Sequence, residues 1–188
     1  KFKSLDPYHH TCTVIGATWG SQGRTFDGTD DKIILDSVSI LNLGNAFSME
    51  IWFNKSNAAE EMLICKDDAA ANREWNIEHN AAGKLYWEVY GAGAIGHTST
   101  NTVSLNTWVH AFFTYDSTNL RIYSGGVINS TPTAWTGPLT STIRGIEIGT
   151  RANTAYLIGL IGEIRLYNRA LSASEILHIY QVTRWRYQ

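Results

Sequence analysis

Hydrophobic and polar residues alternate with a period of two along most of the chain. In residues 47–53, the side chains of Phe47, Met49, Ile51 and Phe53 fall on one face. The same alternation recurs at residues 85–90, 120–123, 143–148 and 161–167. A period of two is the repeat of a β-strand that is apolar towards a core and polar towards water. The chain is therefore predicted to consist mainly of half-buried strands.

Short polar segments, most of them containing glycine, separate these strands. Residues 80–83 and 115–119 are expected to form hairpin loops, and residues 124–126 a third turn. Residues 27–31 are predicted to form a turn before a strand at Lys32–Leu35. Many short strands without crossover helices favour an all-β fold, namely an antiparallel two-sheet β-sandwich or jelly roll.

One helix signal stands near the C-terminus. Ser172 and Glu175 have the spacing of a capping box, in which each residue caps a free amide of the first turn. Ile176, Ile179 and Tyr180 then follow at helical spacing. The sequence therefore predicts one short C-terminal helix packed on the sandwich.

Composition narrows the domain count and the classes of partner. A chain of 188 residues is the size of one domain, and we expect a single domain over residues 1–188. The 15 Lys and Arg residues are balanced by 17 Asp and Glu residues, without a basic run, which disfavours nucleic acid as a partner. No apolar stretch reaches the length of a membrane span.

Cys12 and Cys65 are the two cysteines, and they fit no metal-binding or redox motif. They could form one disulfide or remain two isolated buried thiols. Both alternatives stay open at the level of the sequence.

An ordered set of short motifs gives a more specific interpretation. They are Gly16–Trp19, Arg24–Asp31, Phe47–Trp52, Asn106–His110, Leu120–Gly126, Ile146–Gly149 and Gly159–Ile176. In this order they resemble a laminin-G-like jelly-roll domain of the concanavalin A-like lectin/glucanase superfamily, over nearly the whole chain. The resemblance implies a recognition or adhesion module with a β-sandwich fold.

The beginning of the chain departs from that family pattern. Such domains usually open with an additional apolar strand before the segment that matches residues 4–19, and the chain starts too late to contain it. Without that strand a neighbouring strand would expose an unpaired edge. We therefore expect a strand donated by a partner chain, or one that was cleaved or lies outside the sequence.

The acidic segment around Asp27, Asp30 and Asp31 is the candidate metal site. Hard cations prefer several oxygen ligands, and Glu163 could complete the set from another strand. The family resemblance implies a structural calcium ion there, although the family commonly has Asp where this chain has Gly162. The alternative is a polar turn in which the carboxylates cap local amides.

Aromatic and acidic residues on the polar face of strands form the candidate ligand site. If Leu85 and Val89 point inward, then Tyr86, Glu88 and Tyr90 point outward. Trp52 is expected to point outward from a second strand. The predicted ligand-binding residues are therefore Trp52, Tyr86, Glu88 and Tyr90. Aromatic rings beside carboxylates suit the flat faces and hydroxyls of sugars. The alternative is that these rings cover the sandwich, and Trp52 matches an architectural position of the family.

Catalysis is not expected, because the superfamily's glucanase string Glu-x-Asp-x-x-Glu is absent. We therefore expect a non-catalytic, lectin-like module, extracellular or on a cell or virion surface, with a glycan as its partner. The second hypothesis is a structural subunit of an extracellular or virion assembly. Such a subunit would contact neighbouring protein subunits or copies of itself through strand exchange or the tail at residues 183–188. A glycoside hydrolase is the least favoured hypothesis.

Overall fold

The computed structural model of the protein describes residues 1–36 and 43–188. Sixteen strands in these ranges pair antiparallel in two sheets, and one α-helix follows the last strand. The inner faces of the sheets share one hydrophobic core. The predicted antiparallel β-sandwich with a short C-terminal helix is confirmed.

One sheet has eight strands, and we call it the open sheet because its outer face carries no helix in the described ranges. Its strands are, in spatial order, β1 (Phe2–Lys3), β2 (Thr11–Ile15), β5 (Lys32–Leu35), β15 (Ile146–Ile148), β7 (Glu61–Asp67), β8 (Arg73–His79), β9 (Leu85–Tyr90) and β10 (Ala94–Thr98). The edge strand β1 pairs with β2, with Phe2 opposite Cys12. Addition of a further strand at this edge stays a prediction.

The second sheet is called the covered sheet, because the C-terminal helix packs against its outer face. Its strands are, in spatial order, β13 (Val127–Ile128), β12 (Asn119–Ser124), β11 (Val109–Tyr115), β6 (Phe47–Lys55), β16 (Ile158–Tyr167), β4 (Gly23–Asp27) and β3 (Thr18–Gly20), and β14 (Thr133–Ala134) also pairs with β12. A bulge interrupts β16 between Ile161 and Ile164.

The core forms where the apolar rows of the two sheets meet. On β6, the four residues of the predicted inward row are each at most 2% exposed. On β9, Leu85, Trp87 and Val89 are fully buried. The Phe47 and Trp87 rings meet edge to face with centroids 5.7 Å apart, which joins the two sheets. The inward direction predicted from the alternation is confirmed.

The turns follow the predicted chemistry, and the strand predicted at Lys32–Leu35 is present. The β8–β9 hairpin closes through Gly83, whose positive φ of 75° lets its N–H donate to the Asn80 carbonyl at 2.9 Å. In the β11–β12 hairpin, Asp116 Oδ1 accepts from the Asn119 N–H at 2.8 Å. Residues 27–31, by contrast, join β4 of the covered sheet to β5 of the open sheet. This segment therefore crosses between the sheets and does not form a hairpin.

The helix α1 (Ala173–Thr183) begins at the predicted capping box and is followed by a 3₁₀ turn at Arg184–Tyr187. Ser172 Oγ accepts from the Glu175 N–H, and the Glu175 carboxylate accepts from the Ser172 N–H. Ile176 is fully buried against Phe112, Tyr123 and Leu171. In the described ranges, no helix has the length and apolar character needed to cross a lipid bilayer.

Cys12 and Cys65 are both buried free thiols. They lie on β2 and β7, with β5 and β15 between them. Three strand spacings separate their backbones by roughly 14 Å, which is more than twice the span of a disulfide. Of the two alternatives left open by the sequence, the structure selects two isolated thiols.

Candidate functional site

The outer face of β8 and β9 carries most of the predicted ligand-binding residues. Tyr86, Glu88 and Tyr90 point outward from the open sheet, because the residues between them are part of the core. On β8, Asn76 pairs with Glu88 and Glu78 pairs with Tyr86, so the two strands place five polar side chains on one surface. We call this surface, together with Arg73 and Asp67 beside it, the β8–β9 face.

A hydrogen-bonded network fixes the side chains at one end of the β8–β9 face. Glu88 Oε2 accepts from the Tyr90 hydroxyl, from Asn76 Nδ2 at 3.1 Å and from Arg73 Nη2 at 3.4 Å. Asp67, which is fully buried, accepts from Arg73 Nε and Asn76 Nδ2 at 3.2 and 3.1 Å. The Arg73 guanidinium also lies 4.2 Å from the centroid of the Tyr90 ring. Tyr90 and Glu88 are therefore held in one orientation.

Burial and this hydrogen bond change the chemistry of Tyr90. The pKa of its hydroxyl is raised, first by burial and then by the hydrogen bond to Glu88. Tyr90 consequently stays a neutral donor, and Glu88 is fixed as an acceptor. Glu88 keeps 22% of its side chain exposed, so that it can receive a further hydroxyl donor from solvent or from a ligand.

Tyr86 forms a flat apolar platform at the other end of the face. Its ring lies directly on the backbone of Gly96 in β10, where an added Cβ would come within 2.2 Å of the Tyr86 hydroxyl oxygen. Because Gly96 has no side chain, the ring can lie along the sheet, and Tyr86 stays partly exposed there. An aromatic ring in this orientation suits the C–H face of a sugar.

Glu78 lies on β8 directly opposite Tyr86, and its acidity is altered. Its pKa is raised to about 7, mainly by burial and then by the negative charge of Glu60. A carboxyl group with this pKa both donates and accepts hydrogen bonds near neutral pH. The β8–β9 face therefore combines two aromatic rings with amide, carboxyl and guanidinium groups, which are the groups that bind polyhydroxylated molecules.

Arg73, Asn76 and Glu78 are members of this face that the sequence analysis did not identify. The signal was present, because residues 74–78 (Glu-Trp-Asn-Ile-Glu) alternate in the same way as residues 85–90. Reading that alternation would have placed Asn76 and Glu78 outward. The position of Arg73 depends on an irregularity in the β7–β8 pairing between Lys66 and Asp67, which the pattern does not reveal.

Trp52, the fourth predicted ligand-binding residue, is in a different place. It points outward from β6 as expected, but it lies on the covered sheet and only 3% of it is exposed. The Tyr187 and Tyr180 rings stack on it at 4.4 and 5.9 Å, and its Nε1 donates to Thr183 Oγ1 at 3.2 Å. The structure therefore does not bring Trp52 together with Tyr86, and the C-terminal segment covers its ring.

The acidic segment between β4 and β5 brings three carboxylates together. One oxygen from each of Asp27, Asp30 and Asp31 lies within 4.8 Å of the others. Asp31 Oδ2 accepts from the Asp27 N–H at 2.9 Å, and Gly16 leaves the space that Asp31 Oδ1 needs. Burial, and further the charges of Asp27 and Asp30, raise the pKa of Asp31. Several close hard oxygens fit the ligand preference of calcium.

Glu163, predicted to complete this metal site, does not join it. Ile158 is the residue of β16 that pairs with Asp27, and Glu163 lies five residues further along the strand. Its carboxylate instead contacts Arg165 Nη2 at 2.6 Å and Arg186 Nη1 at 3.2 Å. The third carboxylate of the cluster is Asp31, which the sequence analysis noted in the same segment.

Gly162, the departure from the family pattern, has a local explanation. A Cβ at this position would lie 2.5 Å from the Tyr187 ring. The Tyr187 hydroxyl oxygen also accepts from the Glu163 N–H at 2.8 Å. Glycine therefore allows the C-terminal 3₁₀ turn to pack on β16.

The fold and the sequence together place the chain in a known class of β-sandwich domains. Residues 27–177 match the family model of the concanavalin A-like lectin/glucanases superfamily. The chain belongs to this superfamily, and the resemblance found in the sequence is confirmed.

Solved structures share this fold at low sequence identity. The receptor-binding domain of botulinum neurotoxin mosaic serotype C/D superposes with a TM-score of 0.77 at 14% identity, covering 96% of this chain and 48% of that one. The serotype D ligand-binding domain in complex with N-acetylneuraminic acid gives 0.76 at 14% identity, with the same coverage. The chain thus spans about half the length of these neurotoxin domains.

A second kind of neighbour has nearly the size of this chain. It is domain 4 of an extracellular GH43 arabinanase from Geobacillus stearothermophilus, in complex with arabinotriose. The TM-score is 0.73 at 17% identity, covering 92% of this chain and 88% of that domain. No curated protein sequence gives a significant match. At these identities the neighbours establish the shared fold.

Proposed function

We propose that this domain is a non-catalytic glycan-binding module and that the β8–β9 face holds the saccharide. The observation that carries the proposal is the pair of partly exposed tyrosine rings on β9, with the fixed carboxylate of Glu88 between them. Tyr86 and Tyr90 are four residues apart on one strand, which separates their Cα atoms by roughly 14 Å. This spacing suits an oligosaccharide in contact with both rings.

The hydrogen bonds of Glu88 favour a role in holding a ligand over a role as a nucleophile. Cleavage of a glycosidic bond requires two carboxyl groups, one of which is free to attack or to activate water. Glu88 Oε2 already accepts three hydrogen bonds, which holds it as an acceptor. The neighbouring structures include a receptor-binding domain of a neurotoxin and a domain of an extracellular arabinanase in complex with arabinotriose. We therefore propose that the module acts outside the cell, where polymeric glycans are exposed.

A glycan array followed by titration calorimetry tests the proposal. We expect Tyr86→Ala and Glu88→Gln to weaken binding of the best array ligand at least tenfold, or about 1.4 kcal/mol. Gly96→Ala should also weaken it, because the new methyl group displaces the Tyr86 ring without removing it. Tyr8→Ala is the matched control, since Tyr8 is an exposed tyrosine (63%) of the N-terminal segment.

Three results would contradict this proposal. One is a flat array profile for the intact domain, and another is equal affinity of Tyr86→Ala and the parent protein. Release of reducing ends from mixed polysaccharides would overturn the non-catalytic part alone.

We further propose that the acidic segment binds a structural calcium ion through Asp27, Asp30 and Asp31. The convergence of three carboxylates within 4.8 Å supports this, because their mutual repulsion is relieved by a bound cation. The ion would stabilise the crossing between the two sheets and would take no direct part in glycan contact.

Removal and addition of calcium test this second proposal. We expect EDTA to lower the melting temperature and calcium to restore it, because an ion that binds only the folded state stabilises it. In Asp30→Asn, the changes in melting temperature on adding EDTA and calcium should both be smaller. Glu60→Gln, which replaces an exposed acid outside the cluster, is the control and should show the same changes as the parent protein. A melting temperature that responds neither to EDTA nor to calcium would show that the carboxylates only cap the loop.

A further inference from the structure

A second surface, on the covered sheet, carries two exposed tryptophans, which the β8–β9 face lacks. A groove of about 440 Å³ lies between the β3–β4 hairpin, the bulge of β16 and the C-terminal 3₁₀ turn. Trp19 and Trp185 border it, and Gln22, Glu163 and Arg186 supply polar groups. Its volume is within the range of small-molecule sites.

The two tryptophans are unusual in this protein because they are open to solvent. Trp19 is 69% exposed and Trp185 is 68% exposed. The other five tryptophans are buried or half-buried, as is usual for such large apolar side chains. Two exposed indoles that border one groove form an apolar surface whose burial by a ligand would be favourable.

Contacts with neighbouring groups hold both rings in place. The Arg24 guanidinium lies 4.0 Å from the centroid of Trp19, on a strand that pairs with that of the tryptophan. Trp185 Nε1 donates to the Val182 carbonyl at 2.9 Å. A ligand would therefore meet rings that are already oriented, which lowers the entropic cost of binding.

The two charged side chains that line the groove are paired with each other. Glu163 Oε2 and Arg186 Nη1 are 3.2 Å apart and form an ion pair. Both polar atoms of the Gln22 side chain are hydrogen-bonded. Its Nε2 donates to the Arg186 carbonyl and its Oε1 accepts from Trp108 Nε1, each at 2.9 Å. The lining thus offers polar groups for hydroxyls, and its two opposite charges are already paired with each other, which favours a ligand without a charge of its own.

We propose that this groove is a second saccharide site, which takes an uncharged sugar between Trp19 and Trp185. The choice of a sugar rests on the proposed function, but the site is independent of the β8–β9 face, because it is built from other strands in the other sheet. A chain with sites on both sheets can bridge two glycan strands, and its apparent affinity for a polymer then exceeds that of either site.

Tryptophan fluorescence reports on the groove separately from the β8–β9 face. The platform of that face consists of tyrosines, and the tryptophans beneath it are fully buried. Acrylamide quenching should therefore be dominated by Trp19 and Trp185. We expect a neutral trisaccharide from a panel of arabinotriose, cellotriose and mannotriose to reduce quenching at least twofold, whereas N-acetylneuraminic acid should not.

Two single variants distinguish failure of this inference from failure of the proposed function. Trp185→Ala should abolish the protection from acrylamide and leave Tyr86-dependent calorimetric binding intact. Tyr86→Ala should leave the protection intact. If Trp185→Ala changes neither readout, the groove proposal is wrong and the β8–β9 proposal stands.

Other outcomes are equally decisive. If Trp185→Ala abolishes the protection and Tyr86→Ala affects no binding, the groove proposal is supported and the β8–β9 proposal is wrong. The groove proposal is overturned if no panel sugar protects, if N-acetylneuraminic acid protects as well as neutral sugars do, or if a tryptophan-rich peptide protects and the sugars do not. Circular dichroism confirms the fold of each variant.

Discussion

The outer faces of the two sheets start from the same alternating pattern but have different environments. On the covered sheet, α1 and the 3₁₀ turn bury Trp52 together with Glu50, whose carboxylate accepts from Arg165 at 3.2 Å and lies 3.1 Å from His110 Nε2. On the open sheet, Tyr86 and Glu88 stay partly exposed. An outward aromatic residue is therefore structural where a later segment packs on it and available for binding where none does.

Truncating an aromatic ring on each face gives the largest expected contrast. Trp52→Ala should lower the free energy of unfolding by about 3–5 kcal/mol, because it leaves a cavity beneath the C-terminal segment. Tyr86→Ala should cost less than about 1 kcal/mol, since Tyr86 is already partly exposed. Urea unfolding followed by circular dichroism measures both. Similar losses for the two variants would show that the faces do not differ as described.

The acidity of Glu78 on the open sheet gives a pH-dependent effect of intermediate size. Its folded pKa of about 7 lies above the ordinary value of 4.5, so its contribution to stability is fully present below pH 4.5 and is lost as pH rises through 7. Glu78→Gln should therefore raise stability by up to about 3 kcal/mol at pH 8, and should change it little at pH 4.

Unfolding titrations of both proteins at these two pH values are the measurement. Glu60→Gln should raise stability at pH 8 by a smaller amount and leave it unchanged at pH 4, because the charge of this exposed acid comes after burial in raising the pKa of Glu78. A Glu78→Gln stability gain that is the same at pH 4 and pH 8 would rule out ionisation as its cause.

The cap of the covering helix provides the smallest expected effect. Ser172→Ala removes the acceptor for the Glu175 N–H and should cost about 1 kcal/mol. Because α1 lies on the covered sheet, hydrogen exchange should speed up around Ile176 and Trp52 but not at Tyr86. Faster exchange on both sheets would mean that the helix stabilises the whole sandwich equally.

The parts of the fold that depend on neighbouring residues were predictable from the sequence. Alternation at residues 47–53 placed the inward row correctly, since strand geometry alone decides the direction of each side chain. Ser172 and Glu175 marked the start of α1, because a capping box involves four consecutive residues. Tyr86, Glu88 and Tyr90 share a face for the same local reason.

The features that the sequence did not reveal depend on contacts between distant segments. Trp52 and Tyr86 have similar local patterns, and only the packing of a segment more than 120 residues later separates their roles. Glu163 misses the acidic cluster because the β16–β4 pairing places Ile158 there. Trp19 and Trp185 meet from opposite ends of the chain, which no local motif indicates.

The position of the last two strands has a consequence for biosynthesis. β15 lies between β5 and β7, and β16 lies between β4 and β6, so each sheet is divided until these late strands are made. Such pairings across long stretches of sequence are slow to form. Most of the chain would therefore be synthesised before either sheet could be completed. Apolar surface would stay exposed to chaperones until translation has passed Tyr167.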